Sequence, residues 1–260
     1  MSQAIPKKSL GQHWLNDQAS LEAIVDAADI LAGDIVLEIG PGQGVLTDEL
    51  LKRGAKVQAL EFDQDLIPLL RSKYSTNDNV QITEGDIRTF DFRQMPSNFK
   101  IVANIPYYLT SNLVRLLADT ENKPELSVLL VQKEVAERIC AKPGKMGMLS
   151  VAAQWYFDCS LGVLVDAAKF TPPPKVDSQV VLMKRKHNIP EIDDKKFWRI
   201  VKAGFSEKRK TLSNSLSGGL ALDKQRTNEW LDKAGVDSGS RAQMLTLEDW
   251  FRLYSEQEAL

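Results

Sequence analysis

Cysteine, histidine and long apolar runs are scarce in this sequence. Its two cysteines, Cys140 and Cys159, stand in no metal-ligand spacing, and its two histidines, His13 and His187, lie far apart. That pattern argues against a structural zinc site or a disulfide framework, and no metal is expected. No stretch is long and apolar enough to span a bilayer, and the opening "MSQAIPKKSLGQHWLND" lacks the hydrophobic core of a secretory leader. A reducing, cytoplasmic setting without a membrane partner is expected. Internal repeats and low-complexity tracts are also missing. An excess of either charge is lacking overall: 33 Lys/Arg against 35 Asp/Glu leave a net charge of −2, which does not by itself mark a polyanion binder.

What is present is the makeup of a soluble globular protein, 43% hydrophobic and 26% charged over 260 residues. The charge is unevenly spread. Lys184 to Lys210 holds ten Lys/Arg against four acids, so this segment is +6 and the rest −8. With Lys7 and Lys8 near the start, the clustering tilts toward nucleic acid, although a solvated helical face is the commoner cause of any one cluster.

The first 130 residues alternate in type. "IVLEI" (35–39), "KVQALE" (56–61), "VQIT" (80–83), "KIVAN" (100–104) and "LSVLLVQ" (126–132) read as short buried strands. "GVLTDELLKRG", "DQDLIPLLRSKY" and "TSNLVRLLAD" read as helices between them, and Gln18 to Asp29 as one before them. Such alternation predicts an α/β fold around a parallel sheet covered on both faces. "KEVAERICAK" reads as a helix, while "LSVAAQWYF" is ambiguous. The apolar runs "SLGVLVDAAKF" and "SQVVLMKRK", joined through Pro172-Pro173-Pro174, predict an antiparallel pair added to the sheet. Beyond "HNIP" only helical patterns remain: 194–205, 208–217, 223–234 and 247–255. The expected division is a sheet domain over 1–187, with an N-terminal arm, and a small helical domain over 188–260. His187 reads as part of the linker.

Four strand ends carry the chemistry. "VLEIGPGQGVLTDEL" sets Gly40, Gly42 and Gly44 between the first strand and its helix, where glycines let backbone amides approach a ligand. The spacing is G-x-G-x-G, not the G-x-G-x-x-G of dinucleotide folds. Glu61 ends the next strand, placed to accept both hydroxyls of a ribose. Asp86 follows the third, placed to accept from an adenine amino group, and Asn104 ends the fourth. Singly these read as a turn, a cap, a surface acid and another turn; on one sheet edge they form a cleft. Pro41 crowds the turn and Glu38 stands just before it. That setting suits a sulfonium cofactor, S-adenosylmethionine, better than a pyrophosphate.

"EIGPGQG", "ALEFD", "EGD" and "NIPY" together resemble the Rossmann-like methyltransferases that modify adenine N6. "KKSLGQHWLND", "LLVQKEVAERI", "GMLSVAAQ", "KFTPPPKVDSQVV" and "FSEKRKTLSNSL" extend the likeness over nearly the whole chain, to the KsgA (RsmA) family of ribosomal RNA adenine dimethyltransferases. The resemblance implies a Rossmann-like methyltransferase fold with a helical C-terminal domain, and an enzyme that dimethylates two adjacent adenines near the 3′ end of 16S rRNA. It implies cofactor contacts from His13, Leu15, Gly40, Gly42, Glu61, Asp86 and Asn104; on the residues alone, His13 reads as readily as a hydrogen-bonded histidine of the arm. With the charge clustering, a monomer contacting rRNA of the small subunit through Lys7, Lys8, Lys184, Arg185, Lys186, Lys208, Arg209 and Lys210 is expected. Trp14 stands where the family usually has Phe, and Gln243 where an acid is usual.

The likeness answers what "VANIPYYLTS" is for. Adenine N6 is a poor nucleophile because its lone pair is delocalised into the ring. Two acceptors, the Asn104 side-chain oxygen and the Ile105 carbonyl, favour the tetrahedral geometry it needs for attack. Pro106 biases Ile105 toward an extended conformation, Tyr107 stacks on the extruded base, and Phe170 is expected as the opposite wall. Rival readings are a macrolide-resistance methyltransferase of large-subunit rRNA, a ribosome-assembly factor whose binding outweighs its catalysis, and a nucleotide-dependent oxidoreductase. The glycine spacing and the Asn104–Tyr107 motif oppose the last.

Overall fold

A computed structural model describes residues 5–257. They divide into two compact units: residues 5–137 with 157–186, and residues 138–156 with 187–257. In chain order the elements are β1 (Trp14–Leu15), α1 (Gln18–Ala27), β2 (Ile35–Ile39), α2 (Val45–Lys52), β3 (Lys56–Glu61), α3 (Ile67–Lys73), β4 (Val80–Glu84), β5 (Lys100–Asn104), α4 (Thr110–Asp119), β6 (Leu126–Gln132), α5 (Lys133–Ile139), α6 (Met148–Tyr156), β7 (Phe157–Val165), β8 (Phe170–Thr171), β9 (Ser178–Arg185), α7 (Asp194–Gly204), α8 (Leu212–Leu220), α9 (Lys224–Lys233) and α10 (Leu247–Gln257).

The first unit is built on a seven-stranded sheet in the order β4-β3-β2-β5-β6-β9-β7. Strands β4 through β6 are parallel, and β9 runs antiparallel to both β6 and β7. Residues Val36 to Ile39 of β2 are all buried, because helices cover both faces of a parallel sheet. Chain order reverses at β2, with β3 on one side and β5 on the other. That switch point opens a crevice at the carboxyl ends of the strands. Beside the sheet, β1 and β8 make a two-residue antiparallel ladder, Trp14 opposite Thr171 and Leu15 opposite Phe170. Asp17 starts α1 by accepting from the Ser20 N–H at 2.9 Å, an N-cap that satisfies one orphan donor of the first turn.

The second unit is helical. "LSVAAQWYF" resolves into the end of α6 and, from Phe157, the start of β7. Residues 138–156, expected within the sheet domain, pack instead with the C-terminal helices. The Trp155 ring lies 4.3 Å from that of Phe197 in α7, and the Tyr156 hydroxyl donates to Asp194 at 2.7 Å. A run of apolar residues announces burial but not the surface it is buried against, so the segment's allegiance was hidden. Gln243 takes part in internal pairing through its backbone: its carbonyl accepts from the N–H groups of Gly144 (2.8 Å) and Met146 (3.3 Å). An amide side chain in place of an acid leaves that pairing intact. The helix expected from Lys208 begins at Leu212, and Lys208 to Lys210 form the preceding turn, closed by the Lys210 N–H on the Glu207 carbonyl. Trp230 at the heart of this unit donates its indole N–H to the Leu253 carbonyl at 2.9 Å, which meets the polar demand of a buried tryptophan.

Candidate active site

The crevice at the switch point is a concave cleft partly open to solvent, at the place where open α/β sheets bind their ligands. Gly40, Gly42, Glu61, Asp86, Asn104, Ile105, Pro106, Tyr107 and His13 all line it. Four successive strand ends thus meet, as the alternation of elements requires.

The glycines serve three different ends. Gly40 has φ +69°, and a Cβ there would point into open space, so its bareness leaves room for a ligand. Gly42 donates its N–H to Glu61 Oε2 at 3.1 Å; that amide ties the turn to the end of β3 instead of facing a ligand. Gly44 is small for a reason unconnected with the ligand. A Cβ there would come within 2.4 Å of the Tyr74 hydroxyl. That hydroxyl lies 2.7 Å from the Gly44 carbonyl and 2.8 Å from Asp48 Oδ1. Lys73 Nζ reaches the carbonyls of Gln43 (3.0 Å) and Gly44 (3.2 Å) and Asp48 Oδ2 (2.7 Å). The end of α3 therefore grips the turn from behind, a feature the sequence pattern did not disclose.

Glu61 is 4% exposed. Besides Gly42 it accepts from the Asp63 N–H at 2.7 Å, and each oxygen keeps a lone pair for a ribose hydroxyl. Burial pushes its pKa up, against the backbone N–H groups that pull it down. Asp86 is held below the usual carboxylate range by hydrogen bonds from the Arg88 guanidinium, with burial opposing. Phe62 and Ile87 also line the cleft. Neither was anticipated, although each directly follows an anticipated acid, and apolar neighbours, of which Phe62 is flat, are what a stacked purine needs. Glu38, just before the turn, is 1% exposed. Thr47 Oγ1 donates to its Oε2, while Oε1 and the indole nitrogen of Trp14 have no partner. Burial raises the Glu38 pKa to about 8, with Thr47 opposing, so this acid is mostly neutral at pH 7.

The N-terminal arm walls one side of the cleft with Leu10 to Trp14. It is latched by Asp63, whose carboxylate takes Lys7 Nζ on Oδ1 and Gln12 Nε2, at 2.8 Å, on Oδ2. Burial pushes the Asp63 pKa up, but these donors outweigh it and hold it low. Lys7 also pairs with Asp65. In this ligand-free arrangement its charge faces these two acids. Lys8, Lys184, Lys208 and Arg209 are exposed. Arg185 donates to the Lys123 carbonyl, Lys186 lies 3.5 Å from Asp158, and Lys210 pairs with Glu207.

At the acceptor corner, Asn104 Nδ2 donates to the His13 carbonyl at 3.1 Å. With the amide nitrogen so engaged, Oδ1 is left as the acceptor. Tyr107 is half-buried, its hydroxyl 2.8 Å from Ser178 Oγ and its ring stacked on His13 at 5.7 Å. One expectation needs correcting. Phe170 is 3% exposed, sits in the apolar core with Leu15, Val165 and Val180, and does not line the cleft; as the partner of Leu15 in the short ladder its ring is drawn inward. The Leu15 side chain is likewise buried, and it lines a smaller adjoining hollow behind the glycine turn.

The residues present suit a nucleoside sulfonium. The fixed charges of the cleft are Glu61 and Asp86 against Arg88, itself tied to Asp86. That balance suits a cation, whereas a pyrophosphate would lack its counter-charge.

A family model described as ribosomal RNA adenine dimethylase matches residues 5–258. Ribosomal RNA small subunit methyltransferase A of Dehalococcoides mccartyi is 41% identical over 253 residues, covering 94% of this chain and 86% of its own. The protein of that name from a Nostoc species is 39% identical, covering 95% and 96%. Among solved structures, a dimethyladenosine transferase from Plasmodium falciparum superposes with a TM-score of 0.82 at 27% identity, over 95% of this chain and 98% of its own. The 23S rRNA methyltransferase ErmE does so with 0.76 at 28%, over 94% and 99%. On its sequence, sheet order and strand-end residues, this chain belongs to the ribosomal RNA adenine dimethylase family.

Proposed function

We propose that this protein is a cytoplasmic S-adenosylmethionine-dependent rRNA adenine N6-dimethyltransferase. It acts on two adjacent adenines near the 3′ end of 16S rRNA, as a step in small-subunit biogenesis. The observation that carries the reading is the orientation of Asn104, whose nitrogen is spent on the His13 carbonyl so that Oδ1 is presented as an acceptor. The cofactor supplies an electrophilic methyl group on a sulfonium, an excellent leaving group. Glu61 holds the ribose and Asp86 the adenine amino group, while the open side of Gly40 gives the donor room. Asn104 Oδ1 and the Ile105 carbonyl accept the two N6–H bonds of the target base, drawing its lone pair out of the ring. Tyr107 offers its ring to the extruded base. Positioning and polar stabilisation suffice, with no strong base, because the product ammonium sheds its proton readily.

The 41% and 39% identical relatives named for the small subunit favour that substrate over the one in the name of ErmE, at 28%. Exposed Lys8 and Lys184 in the first unit, and Lys208 and Arg209 in the second, suit contact with RNA phosphates. The test is to incubate unmethylated small and large subunits with labelled cofactor and map the nucleosides. Label on dimethyladenosine from small subunits is expected; label confined to large subunits would overturn the reading.

The latch gives a separate expectation. Asp63→Asn keeps the backbone bond to Glu61 but removes the charge facing Lys7. Calorimetry should show S-adenosylhomocysteine binding weakened by roughly 3- to 10-fold, the scale of one ordinary hydrogen bond. Unchanged affinity would show that the arm does not help hold the cofactor.

A further inference from the structure

We propose that the groove beside α4 takes a phosphate of the RNA strand flanking the target adenine, held by Arg115 and by Arg88 once the adenine amino group of the cofactor has displaced Arg88 from Asp86. The inference rests on the function proposed above and adds to it a phosphate site and a coupling between the two substrates.

The Asp86 carboxylate has no acceptor capacity left in the ligand-free protein. Its Oδ1 takes the Arg88 backbone N–H at 2.9 Å and Nε at 3.0 Å, and its Oδ2 takes Nε at 2.9 Å and Nη2 at 2.5 Å. A carboxylate offers about four lone-pair sites, and Arg88 fills them. An adenine amino group that reaches Asp86 must therefore turn the guanidinium away. The cost is small, because the Arg88 side chain is 57% exposed and exposed ion pairs are worth little.

A freed Arg88 has a place to go. Ile87, Arg88 and Leu109 line both the cleft and a groove adjoining it. Across the groove lies one face of α4, where Asn112, Arg115, Leu116 and Asp119 recur at helical spacing. The helix starts directly after the Tyr107–Leu109 turn, so this face leads away from the corner that receives the target base. Arg115 is exposed, and among the described residues its guanidinium has no hydrogen bond or ion pair, although Asp119 stands one turn further on. Two guanidiniums in one groove suit a phosphate, and a strand that delivers a base to Tyr107 carries one on each side of it. The coupling is reciprocal: cofactor frees a cation for RNA, and RNA that holds this cation keeps Asp86 open for cofactor.

The test combines calorimetry of S-adenosylhomocysteine with binding of unmethylated small subunits over a range of salt, with and without that ligand. Arg88→Ala should bind S-adenosylhomocysteine about two- to fivefold tighter, the scale of one exposed ion pair; an analogue lacking the purine amino group should show no such gain. S-adenosylhomocysteine should tighten subunit binding by the wild type but not by Arg88→Ala. Arg115→Ala should weaken subunit binding and lower the slope of log affinity against log salt by about 0.7, the value for one phosphate of a single strand. Weaker S-adenosylhomocysteine binding by Arg88→Ala would make Arg88 a support for Asp86 and overturn the inference. So would a wild-type subunit affinity indifferent to S-adenosylhomocysteine, or an unchanged salt slope in Arg115→Ala. Subunits bound by the wild type but never labelled would refute the proposed function alone, and the same binding readouts would still decide this inference.

Discussion

Asn104→Ala slows methyl transfer by at least about 100-fold, while S-adenosylhomocysteine binds far less changed; that is the largest kinetic effect expected from a single substitution. The magnitude follows from what the side chain does. Losing one preorganised polar contact to a developing charge costs about 3 kcal/mol, and each 1.36 kcal/mol on the barrier is roughly tenfold in rate. The amide is fixed at its nitrogen by the His13 carbonyl, so its oxygen needs no reorganisation when the adenine arrives. Asn104→Asp is instructive beside it. It keeps an acceptor but has no N–H for His13, and it sets a negative charge against that carbonyl oxygen. Most of the rate should be lost again, now through misplacement of the oxygen. Single-turnover rates at saturating cofactor, set against calorimetric affinities, check both. Equal losses of rate and affinity in Asn104→Ala would make the residue a cofactor ligand only.

Glu38→Gln carries the largest expected effect on stability, and its size depends on pH. Burial raises the Glu38 pKa to about 8 in the folded protein, against an ordinary carboxyl value of 4.5. Below 4.5 the group is neutral in both folded and unfolded chains, and its favourable contribution is fully present. Between 4.5 and 8 the unfolded chain gives up the proton while the folded chain keeps it, so wild-type stability falls as pH rises. Above 8 the full cost of a buried carboxylate is in place. A glutamine of the same shape does not titrate. The stability advantage of Glu38→Gln over wild type should therefore grow with pH through that window, by at most about 1.4 kcal/mol per pH unit. Thermal melts of both proteins from pH 5 to 9 measure it; parallel curves across the range would mean that Glu38 is ionised at neutral pH after all.

Much of the sheet was legible because each strand announces itself locally. "IVLEI", "KVQALE", "KIVAN" and "LSVLLVQ" coincide with β2, β3, β5 and β6 residue for residue, since short β-branched runs bounded by turns have little else to become. The carboxylates were legible for a related reason: alternation of strand and helix puts successive strand ends on one edge whatever the details. The two-residue ladder of β1 and β8 escaped notice, because two residues have no period. With it went the inward turn of Phe170 and the wall made by the arm. The packing of 138–156 with the C-terminal helices was hidden by the same limit, since apolarity does not name a partner.

The order of elements, the glycine turn, the acids at two strand ends and the Asn-Ile-Pro-Tyr corner were settled by sequence, being consequences of local propensity and spacing. Only tertiary structure decided what each group is free to do. Lys7 is spent on Asp63 and Asp65, Gly42 on Glu61, and the Asn104 nitrogen on His13, while Gly44 is small to clear Tyr74. Those commitments join residues from about 19 to 91 positions apart. A donor's or acceptor's remaining capacity depends on which neighbours reach within 3 Å of it, and no linear pattern records that.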